Sequence, residues 1–308
     1  MRQQALNLVQ KLAEKNPKIV FIGSDLASGT LAKMQQSNPN QFFMEGISEQ
    51  YVVGFAAGLA KEGYIPFINT IGTFLSRRSY EQICLDVALH KLPVRFLASG
   101  GGMVYAPLGP THTAIEDLSL MLSIPNLRVF APADSFEIEA IINESISDHY
   151  PYYIRLGKGD EPEVCKPSNK SIFKPKFFGE MNPDVLILTT GVMLHQCLVA
   201  KQILDLEGVR VSIIHSSYLS EIDYSEYFGV ISHTKTLACV EEHIQIGGLF
   251  TRVLHHLDLN NIKGVKINHF SLPFSFSHNY GSQIDHFKKN RISGDSIAKE
   301  ILFKHTNE

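Results

Sequence analysis

The sequence is poor in cysteine, with only four in 308 residues and no CxxC pair. Cys84, Cys165, Cys197 and Cys239 are widely spaced along the chain. Small secreted domains that depend on disulfides carry dense, regular sets of cysteines instead. We therefore expect reduced thiols and a cytoplasmic protein.

The chain also lacks a long apolar run and an excess of basic charge. No run approaches the roughly 20 apolar residues that a membrane-spanning helix needs. The formal net charge of −3 gives no basic footprint for nucleic acid. Residues 1–17 are amphipathic, contain Glu14 and lack a small-residue cleavage site, so they predict an ordinary helix rather than a targeting peptide. Neither a membrane nor a nucleic acid is expected as a partner.

What the sequence does contain is a regular alternation of short apolar runs and helical patterns. Its length allows about two domains with sizeable cores. Such alternation is typical of α/β domains with a parallel sheet covered on both faces. Residues 157–175 are rich in Gly, Pro, Lys and Glu and lack an apolar period. We predict two parallel-sheet α/β domains, at residues 1–160 and 181–308, joined by a linker at residues 161–180.

The predicted elements follow from these runs. In the first domain, strands are expected at residues 18–23, 41–44, 65–71, 93–98, 128–131 and 152–156. Helices are expected at residues 1–17, from 48 or 49 onward, and at 73–91, 113–121 and 135–148. In the second domain, the pattern predicts strands at residues 184–190, 209–215, 236–241 and 265–270, and helices at 193–207, 248–257 and 296–304. Loop 24–30 follows a strand, where ligand crevices of open α/β sheets lie.

The stretch EGISEQYVVGFAAG, residues 45–58, is the most informative part of the sequence. It predicts a helix that begins near Ser48 or Glu49 and is apolar almost all round, which indicates burial. One interpretation of Glu49 is a first-turn acid that complements the helix dipole beside a Ser48 N-cap. The other is a partly buried carboxylate with a raised pKa, held for proton chemistry. The stretch alone leaves both interpretations open.

Four motifs together carry a resemblance to a known family. They are SEQYVVGFAAGLAKEGYIPF, TFLSRRSYEQICLDVALHKLPV, GPTHTAIEDLSLM and EEHIQIGGL, in that order along the chain. From about residue 18 to its end, the sequence resembles the transketolase and 1-deoxyxylulose-5-phosphate synthase group of thiamine diphosphate enzymes. The resemblance implies a pyrimidine-binding domain followed by a transketolase C-terminal domain, with EEHIQIGGL packing the second domain onto the first.

The resemblance also implies where thiamine diphosphate binds. The cofactor carries the difficult chemistry, and the protein binds and orients it. Glu49 matches the carboxyl group that shares a proton with ring nitrogen N1′, and Phe74 matches the aromatic residue that stacks on the aminopyrimidine. Arg77 matches an arginine of the deoxyxylulose-phosphate branch. Ile71 stands where an aromatic residue is common, a departure that is expected to loosen the ring pocket. On sequence alone, Phe74 could equally be a core residue.

Two further residues match family positions at the substrate. His112, in GPTH, matches a histidine beside the thiazolium and the substrate carbonyl, and an imidazole suits proton transfer near neutral pH. Arg155 matches an arginine that binds the substrate phosphate, for which a guanidinium fork is well suited. The alternatives are a structural histidine after a turn and an exposed arginine at the end of a domain.

Two departures from the family pattern concern the substrate. Leu108 replaces an Asp that recognises a sugar hydroxyl, and Gly100 replaces a His that helps to hold the sugar phosphate. Both changes predict a wider, less polar pocket and a non-standard sugar, either nucleotide-linked or deoxy. The glycines of residues 100–102 do not form a dinucleotide fingerprint, because Tyr105 stands where the third Gly of GxGxxG is required.

The family's GDG motif with its later Asn pair is missing from the sequence. That motif holds the diphosphate and its metal, and Mg²⁺ prefers carboxylate and phosphate oxygens. The resemblance therefore implies the C-terminal section of a split transketolase. An N-terminal subunit bearing GDG and the Asn pair would hold Mg²⁺ or Ca²⁺, share thiamine diphosphate and form an α2β2 assembly. The helix of residues 45–58, with residues 24–29 and 109–113, is the predicted contact.

Two other functions remain open at this point. One is the β subunit of a 2-oxoacid dehydrogenase, which shares the two-domain plan and a catalytic Glu. The GPTH and LSRRSYEQI segments favour the transketolase side. The other is a non-catalytic paralogue that only binds a partner. The joint presence of Glu49, Phe74 and His112 argues against it, because a scaffold needs none of them.

Overall fold

Short runs of β-branched and aromatic residues form the strands of the first domain. The computed structural model describes residues 1–24, 26, 29–167 and 171–306. The strands are β1 (Ile19–Gly23), β2 (Phe42–Met44), β3 (Ile65–Ile71), β4 (Arg95–Ser99), β5 (Arg128–Phe130) and β6 (Tyr152–Leu156). They form one parallel sheet in the order β2-β1-β3-β4-β6-β5. The six strands predicted for this domain are therefore confirmed.

Helices cover both faces of this sheet. They are α1 (Arg2–Ala13), α2 (Ala32–Ser37), α3 (Glu49–Lys61), α4 (Gly72–Arg78), α5 (Tyr80–Gln82), a π-helix (Ile83–Ala88), α6 (Asp117–Leu122) and α7 (Ser135–Ser145). Alternate strand residues join separate core clusters, one with α3 and α4 and the other with α1 and α7. Among the described residues, no helix combines the length and apolarity that crossing a membrane requires.

Two predicted helices of this domain differ from the structure. The helix predicted at residues 73–91 is divided into α4, α5 and the π-helix. The break lies at Ser79, whose hydroxyl donates to the carbonyl of Leu75 at 2.7 Å, a bond that competes with the helical ladder. The helix predicted at residues 113–121 begins only at Asp117, because Ala114 forms a backbone bridge with Gly102.

The second domain has a five-stranded sheet in a mixed arrangement. Its strands are β7 (Lys176–Phe178), β8 (Val185–Thr189), β9 (Val211–His215), β10 (Thr236–Ile244) and β11 (Lys266–Leu272). Its helices are α8 (Met193–Leu206), α9 (Phe228–His233), α10 (Leu249–Leu259), α11 (Gln283–Lys289) and α12 (Gly294–Thr306). The strand order is β11-β10-β8-β9-β7. The predicted strands β8 to β11 are confirmed, whereas α9, α11 and the earlier α2 are not among the predicted elements.

The prediction of a purely parallel second sheet is wrong at one edge. β7 pairs antiparallel with β9, and it lies inside the predicted linker of residues 161–180. β7 is only three residues long and partly buried, so its sequence shows neither alternation nor a long apolar run. Residues 168–170 of the same predicted linker lie outside the described residues.

The strand order places a crevice at the carboxyl end of β1. The chain leaves β1 toward β2 on one side and continues through β3 and β4 on the other, which makes a topological switch point. The hydroxyl of Ser24 donates to Thr70 Oγ1 at 2.8 Å and joins the ends of β1 and β3. Asp25, Ala27 and Ser28 of the predicted loop lie outside the described residues.

Residues at the end of β10 pack the second domain onto the first. Glu242 Oε1 accepts a hydrogen bond from the backbone N–H of Met103 at 2.7 Å. The backbone N–H of Ile244 donates to the carbonyl of Ile115 at 3.0 Å. The prediction that the EEHIQIGGL segment joins the two domains is confirmed. Glu241 serves its own domain, because its carboxylate accepts from the first backbone amides of α10.

A buried cluster of residues of the types that commonly bind metal ions lies elsewhere at the domain junction. Glu137, Cys165 and His215 bring their ligand atoms within 4.8 Å of one another. Lys176 Nζ, however, already lies 3.2 Å from Glu137 Oε1, and His215 Nε2 lies 2.9 Å from Glu137 Oε2. Burial would raise the pKa of Glu137, but His215 and Lys176 outweigh it and lower that pKa to about 2. The carboxylate is therefore already paired with Lys176 and His215 without a metal.

The stability of the protein is expected to depend on pH through Glu242. Burial raises the pKa of its carboxyl group from 4.5 to about 7, against the opposing effects of Arg155, Gln283 and the Met103 amide. Because the folded pKa is the higher one, the stabilisation is fully present below pH 4.5 and is lost as the pH rises through about 7.

Glu242→Gln should therefore gain stability relative to the wild type across this pH window. The expected result is a thermal unfolding midpoint that falls less steeply between pH 4.5 and 7 in Glu242→Gln. Glu139→Gln, at an exposed carboxylate, is the control and should follow the wild type. Parallel curves for Glu242→Gln and the wild type would contradict the burial argument.

Candidate active site

Glu49 lies at the first position of α3, beside the switch point. Its side chain is only 3% exposed. Ser48 occupies the N-cap position, but its hydroxyl donates to the carbonyl of Glu45 at 3.4 Å and caps no helix amide. The expected N-cap position of Ser48 is therefore confirmed, although its side chain makes no capping hydrogen bond. Glu49 instead accepts from Arg78 Nη1, at 3.3 Å to Oε1 and 3.1 Å to Oε2.

Arg78 links the buried carboxylate to the aromatic residue expected at the cofactor. Its guanidinium carbon lies 4.0 Å from the centre of the Phe74 ring, a cation–π contact. The Phe74 ring also meets the His112 ring edge-on, with centres 5.0 Å apart. The structure therefore brings Glu49, Phe74 and His112 together through one arginine.

The family resemblance points to the neighbouring arginine, Arg77, instead. Arg77 Nε donates to Glu116 Oε1, so its charge is directed toward α6 rather than toward Glu49. Residues three and four positions apart share a helix face, and Phe74 therefore has both arginines as candidates. The detectable signal for Arg78 is its i+4 spacing from Phe74. A cofactor contact of Arg77 stays a prediction.

His112 is placed by the loop that follows β4. Its backbone N–H donates to the carbonyl of Gly109 at 3.0 Å, which closes a tight turn. Its Nδ1 lies 2.9 Å from Thr111 Oγ1. The ring is half-buried, so solvent and a bound molecule can both reach it. Leu108, in the same loop, is 54% exposed, whereas Ile71 is buried at the end of β3.

The space expected to open at Gly100 is filled. Gly100 has φ +78°, and a Cβ at this residue would overlap the ring of Tyr105. Tyr105 is half-buried, and its hydroxyl accepts from Arg2 Nη1 at 3.1 Å. The loss of a histidine side chain at residue 100 is therefore compensated by a tyrosine ring from within the same loop. A wider pocket at this position has no support in the geometry.

Arg155 is enclosed between the two domains. Its side chain donates to the carbonyls of Ala114 at 2.6 Å and Glu242 at 3.0 Å and pairs with Asp117 at 3.0 Å. Burial would lower the pKa of Arg155, but the Asp117 and Glu242 carboxylates raise it. The cavity that reaches this guanidinium measures only about 10 Å³, the size of a single water. Binding of a phosphate by Arg155 stays a prediction, and these contacts favour a role within the protein.

The grouping of Glu49, Phe74 and His112 suits a planar, nitrogen-containing ring. A buried carboxylate provides a hydrogen-bonding group for a ring nitrogen, and Phe74 provides an aromatic face. The Arg78 guanidinium lies over one face of the Phe74 ring. His112 provides an imidazole at the edge of the same space. In the described part of the chain, the grouping of possible metal ligands lies at Glu137, away from these residues.

Comparison with known proteins identifies relatives of both domains. Residues 1–162 match the family model "Transketolase, pyrimidine binding domain", and residues 179–279 match "Transketolase, C-terminal domain". The 1-deoxy-D-xylulose-5-phosphate synthase of Dictyoglomus thermophilum is 35% identical over 306 residues, 95% of this chain and 47% of the relative. That of Halothermothrix orenii is 32% identical over 270 residues, 86% of this chain and 42% of the relative. The chain spans about half the length of these curated relatives.

Solved structures share the whole two-domain arrangement. One described as "Split gene transketolase, inactive beta4 tetramer" is 29% identical with a TM-score of 0.85, covering 98% of this chain and 96% of that one. A transketolase from Campylobacter jejuni has a TM-score of 0.82 at 18% identity, covering 98% of this chain and 46% of that one. The second similarity is one of fold alone.

Arg78→Gln should destabilise the free chain, because it leaves the buried Glu49 carboxylate without its cation. The expected loss in the free energy of unfolding is about 1–3 kcal/mol. Arg77→Gln is the matched control, since its partner Glu116 is more exposed and such pairs contribute less than about 1 kcal/mol. Thermal unfolding of both variants measures the difference. Equal losses would mean that Arg78 does not neutralise Glu49.

Proposed function

The chain belongs to the transketolase family, and from that premise we propose that it is the C-terminal section of a split thiamine diphosphate-dependent transketolase. The observation that carries the proposal is the convergence of Glu49, Phe74 and His112 at one end of the first sheet. The reaction would transfer a two-carbon ketol unit between sugars. Within the cofactor site, this chain would provide the side that binds the aminopyrimidine ring.

In this proposal, bound thiamine diphosphate would supply the reactive thiazolium carbon. Glu49 would hold a hydrogen bond to the ring nitrogen, because its carboxyl group is buried at the start of α3. Phe74 would orient the ring by stacking, and Ile71 would contribute an apolar wall at the end of β3. Arg78 neutralises Glu49 in the free chain.

His112 is proposed to act on the substrate rather than on the cofactor ring. Its half-buried imidazole adjoins Phe74 and lies on a loop that also carries Leu108. From this position it would donate or accept a proton at the substrate carbonyl oxygen. Thr111, bonded to Nδ1, helps to fix the orientation of the ring.

The diphosphate half of the site is proposed to come from a partner subunit. This subunit would carry the GDG motif and the Asn pair, hold Mg²⁺ or Ca²⁺ and form an α2β2 assembly. A split-gene transketolase chain of nearly equal span supports this arrangement, and that structure is described as an inactive tetramer of β chains. Ile47 and Tyr51 flank Glu49 and are 66% and 56% exposed, which suits a surface that a partner covers.

The substrate is proposed to be a non-standard sugar or sugar phosphate. This proposal rests on Leu108, because an exposed leucine offers no hydrogen bond where the family has an Asp. Gly100 adds no polar contact, since the Tyr105 ring lies over it. A second candidate is a condensation of the 1-deoxyxylulose-5-phosphate synthase type, favoured by relatives at 32–35% identity. Activity with pyruvate as the donor would distinguish this second candidate from a transferase that requires a ketose donor.

Glu49→Gln tests the catalytic assignment in the reconstituted complex with the GDG-bearing subunit. The variant should assemble normally but lose activity by a factor of about 10²–10⁴, because an amide cannot exchange the proton. Glu62→Gln, at the exposed far end of the same helix, should keep full activity. Full activity of Glu49→Gln would support the non-catalytic paralogue instead.

Leu108→Asp tests the substrate assignment. If Leu108 is the reason that ordinary ketose phosphates bind poorly, the added carboxylate should lower their KM by about tenfold, the effect of one hydrogen bond to a charged group. Leu206→Asp, on the exposed surface of α8, is the control. A wild-type enzyme that already converts xylulose 5-phosphate and ribose 5-phosphate at ordinary transketolase rates would contradict the non-standard substrate.

A further inference from the structure

The loop that carries Leu108 and His112 is closed at its base by a short backbone bridge. The N–H of Gly102 donates to the carbonyl of Ala114 at 2.9 Å, and the N–H of Ala114 donates back to Gly102 at 2.9 Å. Both residues are buried. The loop of residues 102–114 therefore leaves the core and returns to it at one fixed point.

A side chain of the second domain is inserted at this point. Glu242 is 2% exposed, and its Oε1 accepts from the backbone N–H of Met103, the first residue beyond the bridge. A Cβ at residue 102 would overlap the carboxylate carbon of Glu242, so only glycine allows this approach. Gly102 also has φ +62°, a conformation that other residues rarely adopt.

Glu242 is itself held in place at its carboxylate and at its backbone carbonyl. Gln283, the first residue of α11, donates from Nε2 to Glu242 Oε1 at 2.8 Å. Arg155 binds the backbone carbonyl of Glu242 through Nη1 and that of Ala114 through Nη2. Arg155 thus links Ala114, at the end of the loop, to the same glutamate. A buried amide or carbonyl needs such partners, and an ionised acceptor makes the stronger bond.

From these contacts we propose that Glu242 is a positioning residue, which fixes the His112 loop from the second domain, with Arg155 as its support. The second domain then contributes to catalysis without touching the reactants. The glycine at residue 102 has a physical cause, which is the close approach of this carboxylate. The catalytic consequence rests on the proposed role of His112, whereas the anchoring of the loop does not.

The test is amide hydrogen exchange of the full chain, followed over residues 103–112. Glu242→Ala removes the acceptor and leaves the buried Met103 amide without its partner, so exchange in this segment should quicken by about tenfold or more. Exchange in α3 should not change. Glu242→Gln keeps a carbonyl oxygen for Met103 and Gln283, and it should restore slow exchange.

A second variant approaches the same contact from the other side. Gly102→Ala places a methyl group where the carboxylate lies, and it should quicken exchange in the same segment even if Glu242→Ala folds poorly. In the reconstituted complex, both variants should lower kcat and leave thiamine diphosphate affinity unchanged, since Glu49 and Phe74 are untouched. Unchanged exchange in both variants overturns the proposal.

His112→Ala, assayed in parallel, tests the catalytic role of His112 separately from the anchoring of its loop. A fall in its kcat supports the use of the loop in catalysis. If His112→Ala keeps full activity, the proposed role of His112 fails and Glu242 is no longer a positioning residue for the reaction. Faster exchange in the Glu242 variants would then show anchoring of the loop alone.

Discussion

A carboxylate that is almost completely buried needs a partner, and the pairing of Glu49 with Arg78 meets this need. The pairing determines how the site is arranged. Because Glu49 is fixed at the start of α3, Arg78 must reach it from the end of α4, and the guanidinium then lies over Phe74. Phe74 in turn contacts His112. One electrostatic requirement thus brings together elements that follow three different strands.

The second domain acts on this arrangement through a buried set of charges. Arg155 and Asp117 of the first domain meet Glu242 of the second, and each finds a partner of opposite charge or a backbone group. Burying charged groups is costly unless they are paired, so their presence indicates that the two domains keep one relative placement. The loop with His112 emerges from the middle of this junction.

Much of the fold could be predicted because buried parallel strands are short apolar runs, as in β1 and β8. β7 does not follow this pattern, since three half-buried residues carry no period. Glu49, Phe74 and His112 could be predicted as site residues because each stands in a motif. Arg78 could not be predicted as the partner of Glu49, because this pairing depends on where α4 ends. The burial of Arg155 depends on a domain that starts some twenty residues later, which no local pattern reveals.

We infer that this chain holds the pyrimidine side of the cofactor site and that another subunit supplies the diphosphate side. Isothermal titration of thiamine diphosphate and Mg²⁺ measures this directly, first with the purified chain and then with its complex with a GDG-bearing subunit. We predict no measurable binding to the chain alone and saturable binding, one cofactor per pair of subunits, in the complex. Tight binding of cofactor and metal by the isolated chain would contradict it.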